Sequence, residues 1–279
     1  MPHIFRQKSD MNENEVLILD SVTKFERRDF RKIAIAASHG GAYAGYLAAR
    51  VGIRGIILHD AGIGKDQAGI SALPYLDGLS IAGATIDYRT ARIGDGQAMA
   101  ETGVISHVNQ TASQAGCAVG QPAMVCALAM QTAKGAGGEV PGYAEARFVL
   151  QDTPGGPKVM GCDSTSLVQP EDEGQIVVTA SHGDLLRDSP SWGSRPDVLA
   201  AIFNDAGASD PSRLPDLDTR NIAGATVSAE SARIGDVRST YEDGIISHIN
   251  ETARRRGARI RMTCRDFVQQ MIDSTQSAD

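Results

Sequence analysis

The chain repeats part of its own sequence. Residues 81–112 align without a gap to residues 222–253, and 18 of the 32 positions are identical. Three motifs account for most of the match: Ile-Ala-Gly-Ala-Thr, Ala-Arg-Ile-Gly-Asp and Ile-Ser-His-Val/Ile-Asn. They begin at residues 81, 91 and 105 and recur 141 positions later. An internal repeat of this length predicts two copies of one structural unit.

The match extends upstream with small shifts in spacing. Ser-His-Gly at 38–40 recurs at 181–183, and Asp-Ala-Gly at 60–62 recurs at 205–207. The changing offset places insertions and deletions between the motifs. A stretch rich in Gly and Pro, 134–142 followed by 154–157, separates the copies. We therefore predict a first repeat over residues 1–155 and a second over residues 156–279.

Each copy alternates short apolar runs with helical patterns, which is typical of α/β structure with a parallel sheet covered on both faces. The fold-class prediction is two duplicated parallel α/β units of Rossmann-like outline, related by a pseudo-twofold axis. One continuous sheet and two separate sheets both remain open. In the first copy we predict strands at 16–19, 33–37, 55–58, 81–86 and 117–119, an edge strand at 146–151, helices at 41–51 and 66–79, a helix from Asp95 to about Gln114 and one further helix. The second copy is expected to follow the same plan.

Charge and hydropathy argue against three classes of protein: nucleic-acid binders, membrane-spanning proteins and secreted proteins. The formal charge of −7 argues against a general nucleic-acid binder, and no apolar run is long enough to span a membrane. The polar segment 1–15 lacks the apolar core of a secretion signal, so we expect a cytoplasmic protein. The four cysteines lack C-x-x-C spacing, and Cys117 and Cys126 are expected to be buried free thiols.

Polar side chains follow the predicted strands, at the edge of the sheet where parallel α/β proteins bind ligands. His39 and His182 occupy the same position in the two copies. Histidine can act there as an acid, a base or a metal ligand, or it can be a hydrogen-bonded structural residue.

The loop 38–41 joins a strand to a helix and contains Gly40 and Gly41. Backbone N–H groups at such a helix start favour an anion, whereas a tight turn with Ser38 as a helix cap is the alternative. Asp184 replaces Gly41 in the second copy, and its charge would repel an anion.

Other residues at this edge have comparable alternatives. His59 becomes Asn204 in the second copy, which predicts different roles for the two halves. Asp60 and Asp205 can orient a histidine, bind a metal or cap a helix. Arg92 and Arg233, in the Ala-Arg-Ile-Gly-Asp motif, can clamp a carboxylate or form an internal ion pair. His107 and Asn109 are assigned to the helix after Asp95, with a role in packing.

These observations predict an enzyme acting on a small polar, carboxylate-bearing metabolite, with hydrolysis as the first reaction class and a site mainly on the first repeat. A lyase or isomerase, a non-catalytic metabolite-binding protein and a purely structural duplication are the alternatives, and a homo-oligomer is open. No organic cofactor is predicted. The candidate catalytic residues are Ser38, His39, Asp60 and His182; the candidate substrate-binding residues are Gly40, Gly41, His59, Arg92, Asp205 and Arg233; the candidate metal ligands, if a metal binds, are Asp20, His39 and Asp60.

Overall fold

Alternating side chains on the strands create two buried faces in the first half of the chain. The computed structural model describes residues 15–135, 139–189, 192 and 195–276. Ile33 and Ile35 pack into one core and Ala34 and Ala36 into another, because successive strand residues point to opposite faces. The predicted segments 1–15 and 134–142 lie partly outside the described residues.

Residues 15–135, called the first half from here on, form a five-stranded sheet in the order β1-β2-β3-β4-β5. The first four strands are parallel, and β5 runs antiparallel to β4. The elements are β1 (Val16–Leu19), β2 (Ile33–His39), α1 (Ala42–Val51), β3 (Gly55–His59), α2 (Ala72–Gly78), β4 (Ala82–Ile86), α3 (Gly96–Thr102), β5 (Ile105–Val108), α4 (Gln110–Gln114) and α5 (Ala123–Ala129).

Residues 147–276, called the second half, form a six-stranded sheet in the order β11-β10-β9-β8-β7-β6. Its two outer pairs, β6–β7 and β10–β11, are antiparallel. The elements are β6 (Arg147–Gln151), β7 (Val159–Cys162), β8 (Ile176–His182), β9 (Ala200–Asn204), α6 (Arg213–Asp218), β10 (Ala223–Val227), α7 (Val237–Asp243), β11 (Ile246–Ile249), α8 (Glu251–Arg255) and α9 (Cys264–Gln276).

The α/β class and the main strands of the first copy are confirmed, and the sheets are separate. They are mixed rather than wholly parallel. Strand order follows chain order, which differs from the Rossmann arrangement. Helices α1 and α2 pack on one face of the first sheet, while α3 and α5 cover the other. The edge strand predicted at 146–151 forms β6 and pairs with the second sheet.

Three local predictions are wrong. The helix expected from Asp95 to Gln114 ends at Thr102, and β5 follows it, because Gly103 takes an extended conformation and the β-branched residues after it suit a strand. His107 therefore lies on a strand, and Asn109 caps α4. Residues 117–119, expected to form a strand, are irregular and lead into a turn at 119–120. In the second half, the described residues between β8 and β9 contain no counterpart of α1.

The segment 66–79 is helical only in part. A left-handed stretch precedes α2, with positive φ at Asp66 and Gln67. Asp95 caps α3 through the Ala98 N–H, as predicted. All four cysteines are free and buried. No helix in the described residues is long and apolar enough to cross a membrane.

Candidate functional site

The loops at the carboxyl ends of the parallel strands pack against each other across the boundary between the halves. A Cβ built on Gly62 would lie 3.2 Å from the Cα of Gly207, and both glycines have positive φ. A small apolar cluster surrounds this contact and takes residues from both halves. Two clefts remain between the halves beside it.

The large cleft has a volume of about 600 Å³ and is lined by His59, 88–93, Asp184 and 206–210. The small cleft has a volume of about 240 Å³ and is lined by His39, 41–43, Asp66, Ala68, Ser71, Tyr143 and 233–236. Each cleft thus combines the Ala-Arg-Ile-Gly-Asp loop of one half with the strand-end loops of the other.

This exchange corrects the grouping expected from sequence. For a site mainly on the first repeat, the sequence predicts that Arg92 and the 38–41 loop clamp an anion beside His39. Arg92 instead lines the large cleft with Asp184, and Arg233 lines the small cleft with His39. The sequence could not reveal this exchange because it depends on how the halves pack.

The two arginines differ in their pairing. Arg233 binds Asp236 in its own half and Asp66 of the first half, both at 2.9 Å. The residue equivalent to Asp236 is Asp95, whose Oδ1 lies 3.5 Å from the Nε of Arg187. Arg92 is exposed and has no hydrogen-bond or ion-pair partner among the described residues. Within the described ranges, the arginine of the large cleft therefore makes no ion pair, whereas the arginine of the small cleft makes two.

His39 and His182 make the same turn contact. The Nδ1 of His39 accepts the N–H of Gly41 at 3.1 Å, and the Nδ1 of His182 accepts the N–H of Asp184 at 3.3 Å. A ring that accepts at Nδ1 carries its proton on Nε2 when neutral. Burial lowers the pKa of His39 to about 4, and burial with the charge of Arg213 lowers that of His182 well below its usual value. At neutral pH both rings offer an N–H donor at Nε2.

The loop that follows β2 has little free capacity for an anion. The N–H of Gly40 bonds to the His59 carbonyl, that of Gly41 to His39, and that of Ala42 to the hydroxyl of Ser71. The Ser38 hydroxyl accepts the N–H of Val22 at 3.1 Å. These contacts favour the tight-turn alternative, with Ser71 rather than Ser38 bonding to the start of α1.

His59 and Asn204 are equivalent in their contacts despite the difference in residue type. The Nδ1 of His59 accepts from the Ala61 N–H at 3.0 Å, and its Nε2–H donates to the Ala91 carbonyl at 3.0 Å. The Oδ1 of Asn204 accepts from Ala206, and its Nδ2 donates to Ala232. Both side chains thus connect the Asp-Ala-Gly loop of their half to its Ala-Arg-Ile-Gly-Asp loop. The change from His59 to Asn204 therefore does not indicate different roles for the two halves.

The aspartates of the two halves are likewise bound to backbone. Oδ1 of Asp60 accepts from Gly62 and Tyr88, and Asp205 accepts from Gly207 and Ala229. Burial raises the pKa of Asp60, against these N–H bonds and a contact with Ser106, which lower it.

The candidate metal ligands are not brought together as a metal site. Asp20 accepts the first N–H of α3 at 2.9 Å. Within the described ranges, no three His, Cys, Asp or Glu side chains are placed to hold a metal ion. The metal prediction remains a prediction.

Sequence reasoning missed three groups near the clefts. Asp210 is exposed in the large cleft, and Tyr143 lines the small one. Glu145 interacts with Tyr43 beside the small cleft, and burial with the charge of Asp163 raises its pKa to about 7. Asp210 had a detectable signal, because the loop after Asp-Ala-Gly carries an aspartate in both copies.

Comparison with known proteins finds no matching family model, no similar curated protein and no similar solved structure.

Proposed function

We propose that this protein binds a small carboxylate-bearing metabolite in the large cleft, with Arg92 as the anion anchor. The observation that supports this most is the guanidinium of Arg92, which lines a cleft of about 600 Å³ and has no partner among the described residues. That volume suits a small metabolite, and an arginine without an internal partner binds a carboxylate with two parallel hydrogen bonds.

The test compares two arginines at equivalent sequence positions. Thermal shift with a panel of small carboxylates identifies a ligand, and calorimetry then measures its Kd. Arg92→Gln should weaken binding by about ten- to a hundredfold, because it removes a charge-assisted contact of about 1.5–3 kcal/mol.

Arg233→Gln is the matched control. It breaks the ion pairs of the small cleft and should leave the Kd within about twofold, even where it lowers the melting temperature. Equal loss of affinity in both variants, or none in Arg92→Gln, would refute the proposal.

Enzymatic proton transfer at the small cleft is the second candidate. It is supported by the Nε2–H of His39 together with Glu145, whose pKa of about 7 suits an acid or base at neutral pH. Hydrolysis through Ser38 has no such support: its Oγ accepts the N–H of Val22, and no described side chain is hydrogen-bonded to it as a base. Turnover assays on each bound ligand test this candidate, with His182→Ala as the control for His39→Ala.

We further propose that the halves arose by duplication and are related by a pseudo-twofold axis. The support is the repetition of individual contacts, such as Asn109 with Gly83 and Asn250 with Gly224. An experimental structure tests it: the equivalent elements should superpose after a rotation near 180°.

A further inference from the structure

Each cleft contains an arginine from one half and an aspartate from the other, but the two are ion-paired only in the small cleft. In the small cleft, Arg233 of the second half binds Asp66 of the first half at 2.9 Å. Asp66 follows the Asp-Ala-Gly turn of its half, and Asp210 follows the corresponding turn in the second half. Asp210 and Arg92 line the large cleft from opposite halves, and neither has an ion-pair partner in the part of the chain that the structure describes. The large cleft therefore contains an arginine and an aspartate from opposite halves that do not form the ion pair seen in the small cleft.

A second acceptor lies in the wall of the large cleft. Asp184 is 1% exposed, and its Oδ1 accepts from the N–H and the hydroxyl of Ser212. Its Oδ2 is buried and has no hydrogen-bond partner among the described residues. This oxygen is covered by protein atoms, so Asp184 acts on the cleft through its negative charge, which repels a ligand carboxylate and attracts a ligand ammonium. The small cleft has Gly41 at this position and no such acceptor.

We infer that the ligand of the large cleft is a zwitterion of the amino-acid class, an inference that rests on the proposed function. Its carboxylate binds Arg92, and its ammonium binds Asp210, which the second half contributes, within the electrostatic field of Asp184. Such a ligand supplies a negative partner for Arg92 and a positive partner for Asp210. It thereby links the two halves, as the Arg233–Asp66 pair does in the small cleft. A carboxylate without the ammonium satisfies only Arg92.

Matched sets of probes separate these two contributions. One set is L-leucine, 4-methylpentanoate and 3-methylbutylamine, and the other is L-phenylalanine, 3-phenylpropanoate and 2-phenylethylamine. Calorimetry on the full chain measures each Kd. In at least one set, the amino acid should bind about tenfold more tightly than the acid that lacks its α-amino group.

Two variants assign that preference to a residue. Asp210→Asn should reduce the preference to within about twofold without weakening the binding of the plain acid, because it also removes a negative charge that repels the ligand carboxylate. Asp66→Asn is the matched control, since it removes the corresponding aspartate from the small cleft and should leave the preference intact. Unfolding curves confirm that both variants are folded.

The outcomes distinguish this inference from the proposed function. A plain acid that binds as tightly as its amino acid, or a preference that survives Asp210→Asn, overturns the inference and leaves the carboxylate site standing. If no carboxylate in any set binds, or if Arg92→Gln binds as wild type does, the proposed function fails and the inference fails with it.

Discussion

Asparagine at position 59 should preserve the stability of the folded chain at neutral pH and reduce its sensitivity to acid. His59 accepts one backbone N–H and donates to one backbone carbonyl, and Asn204 makes the same two bonds in the second half. The amide of asparagine has the acceptor and the donor that both contacts require. His59→Asn therefore removes an ionisable ring without leaving either backbone group unsatisfied.

The size of the effect follows from the pKa of the buried ring. Burial lowers the pKa of His59 to about 4, whereas histidine in an unfolded chain titrates near 6.5. Between these values the unfolded state binds a proton that the folded state does not. Stability therefore falls as the pH drops from about 6.5 towards 4, and it is unaffected by this group above that window. At about pH 5 the loss from His59 alone is about 2 kcal/mol relative to about pH 7.5.

Urea unfolding at about pH 7.5 and about pH 5 measures the free energy of unfolding under both conditions. At the higher pH, His59→Asn should lie within about 1 kcal/mol of wild type. On acidification it should lose about 2 kcal/mol less than wild type does. His59→Ala and Asn204→Ala are the controls, and each should cost about 2–3 kcal/mol at neutral pH because both backbone partners lose their bonds. The reasoning is wrong if His59→Asn keeps the full acid loss of wild type or is as unstable as His59→Ala.

Further predictions concern the packing of two glycines and the hydrogen bonds of two asparagines, and the same unfolding assay measures them. A Cβ on Gly69 would lie 2.0 Å from the carbonyl oxygen of Asp60, so Gly69→Ala should cost about 3 kcal/mol. At Gly78 a Cβ meets nothing within 4 Å, so Gly78→Ala at the end of α2 should instead stabilise by up to about 1 kcal/mol. Asn109→Ala and Asn250→Ala each remove hydrogen bonds to four backbone groups at equivalent places, and each should cost about 2–4 kcal/mol. Unequal costs would contradict the equivalence of the two sites.

Local pattern was sufficient to predict most of the first sheet. The apolar runs that form β1 to β4 are short, bounded by polar residues and separated by helical segments. The pattern failed after Asp95, where residues 104–112 fit both a helical face and a strand followed by a new helix. Gly103 decides between them, because its extended backbone ends α3 and starts the turn into β5.

The candidate site was less predictable, since it depends on contacts between residues far apart in sequence. The sequence identified Arg92 and His39 but could not show that they line different clefts. Nor could it show that Arg187, from a loop of the second half, lies beside Asp95. That contact helps explain why Arg92 differs from Arg233, and nothing near Arg92 in the sequence indicates it.

The motifs that the two copies share and the residues in which they differ have separate explanations. The shared Ser-His-Gly and Asp-Ala-Gly segments form the same turn contacts in both halves, so their retention follows from packing and backbone hydrogen bonding. Equivalent residues at the clefts differ in two ways: Glu230 replaces Arg89, and Arg233 is ion-paired whereas Arg92 has no partner among the described residues. The shared turns therefore identify the structural repeat, and the ligand site is better sought where equivalent residues differ in charge or in their ion pairing.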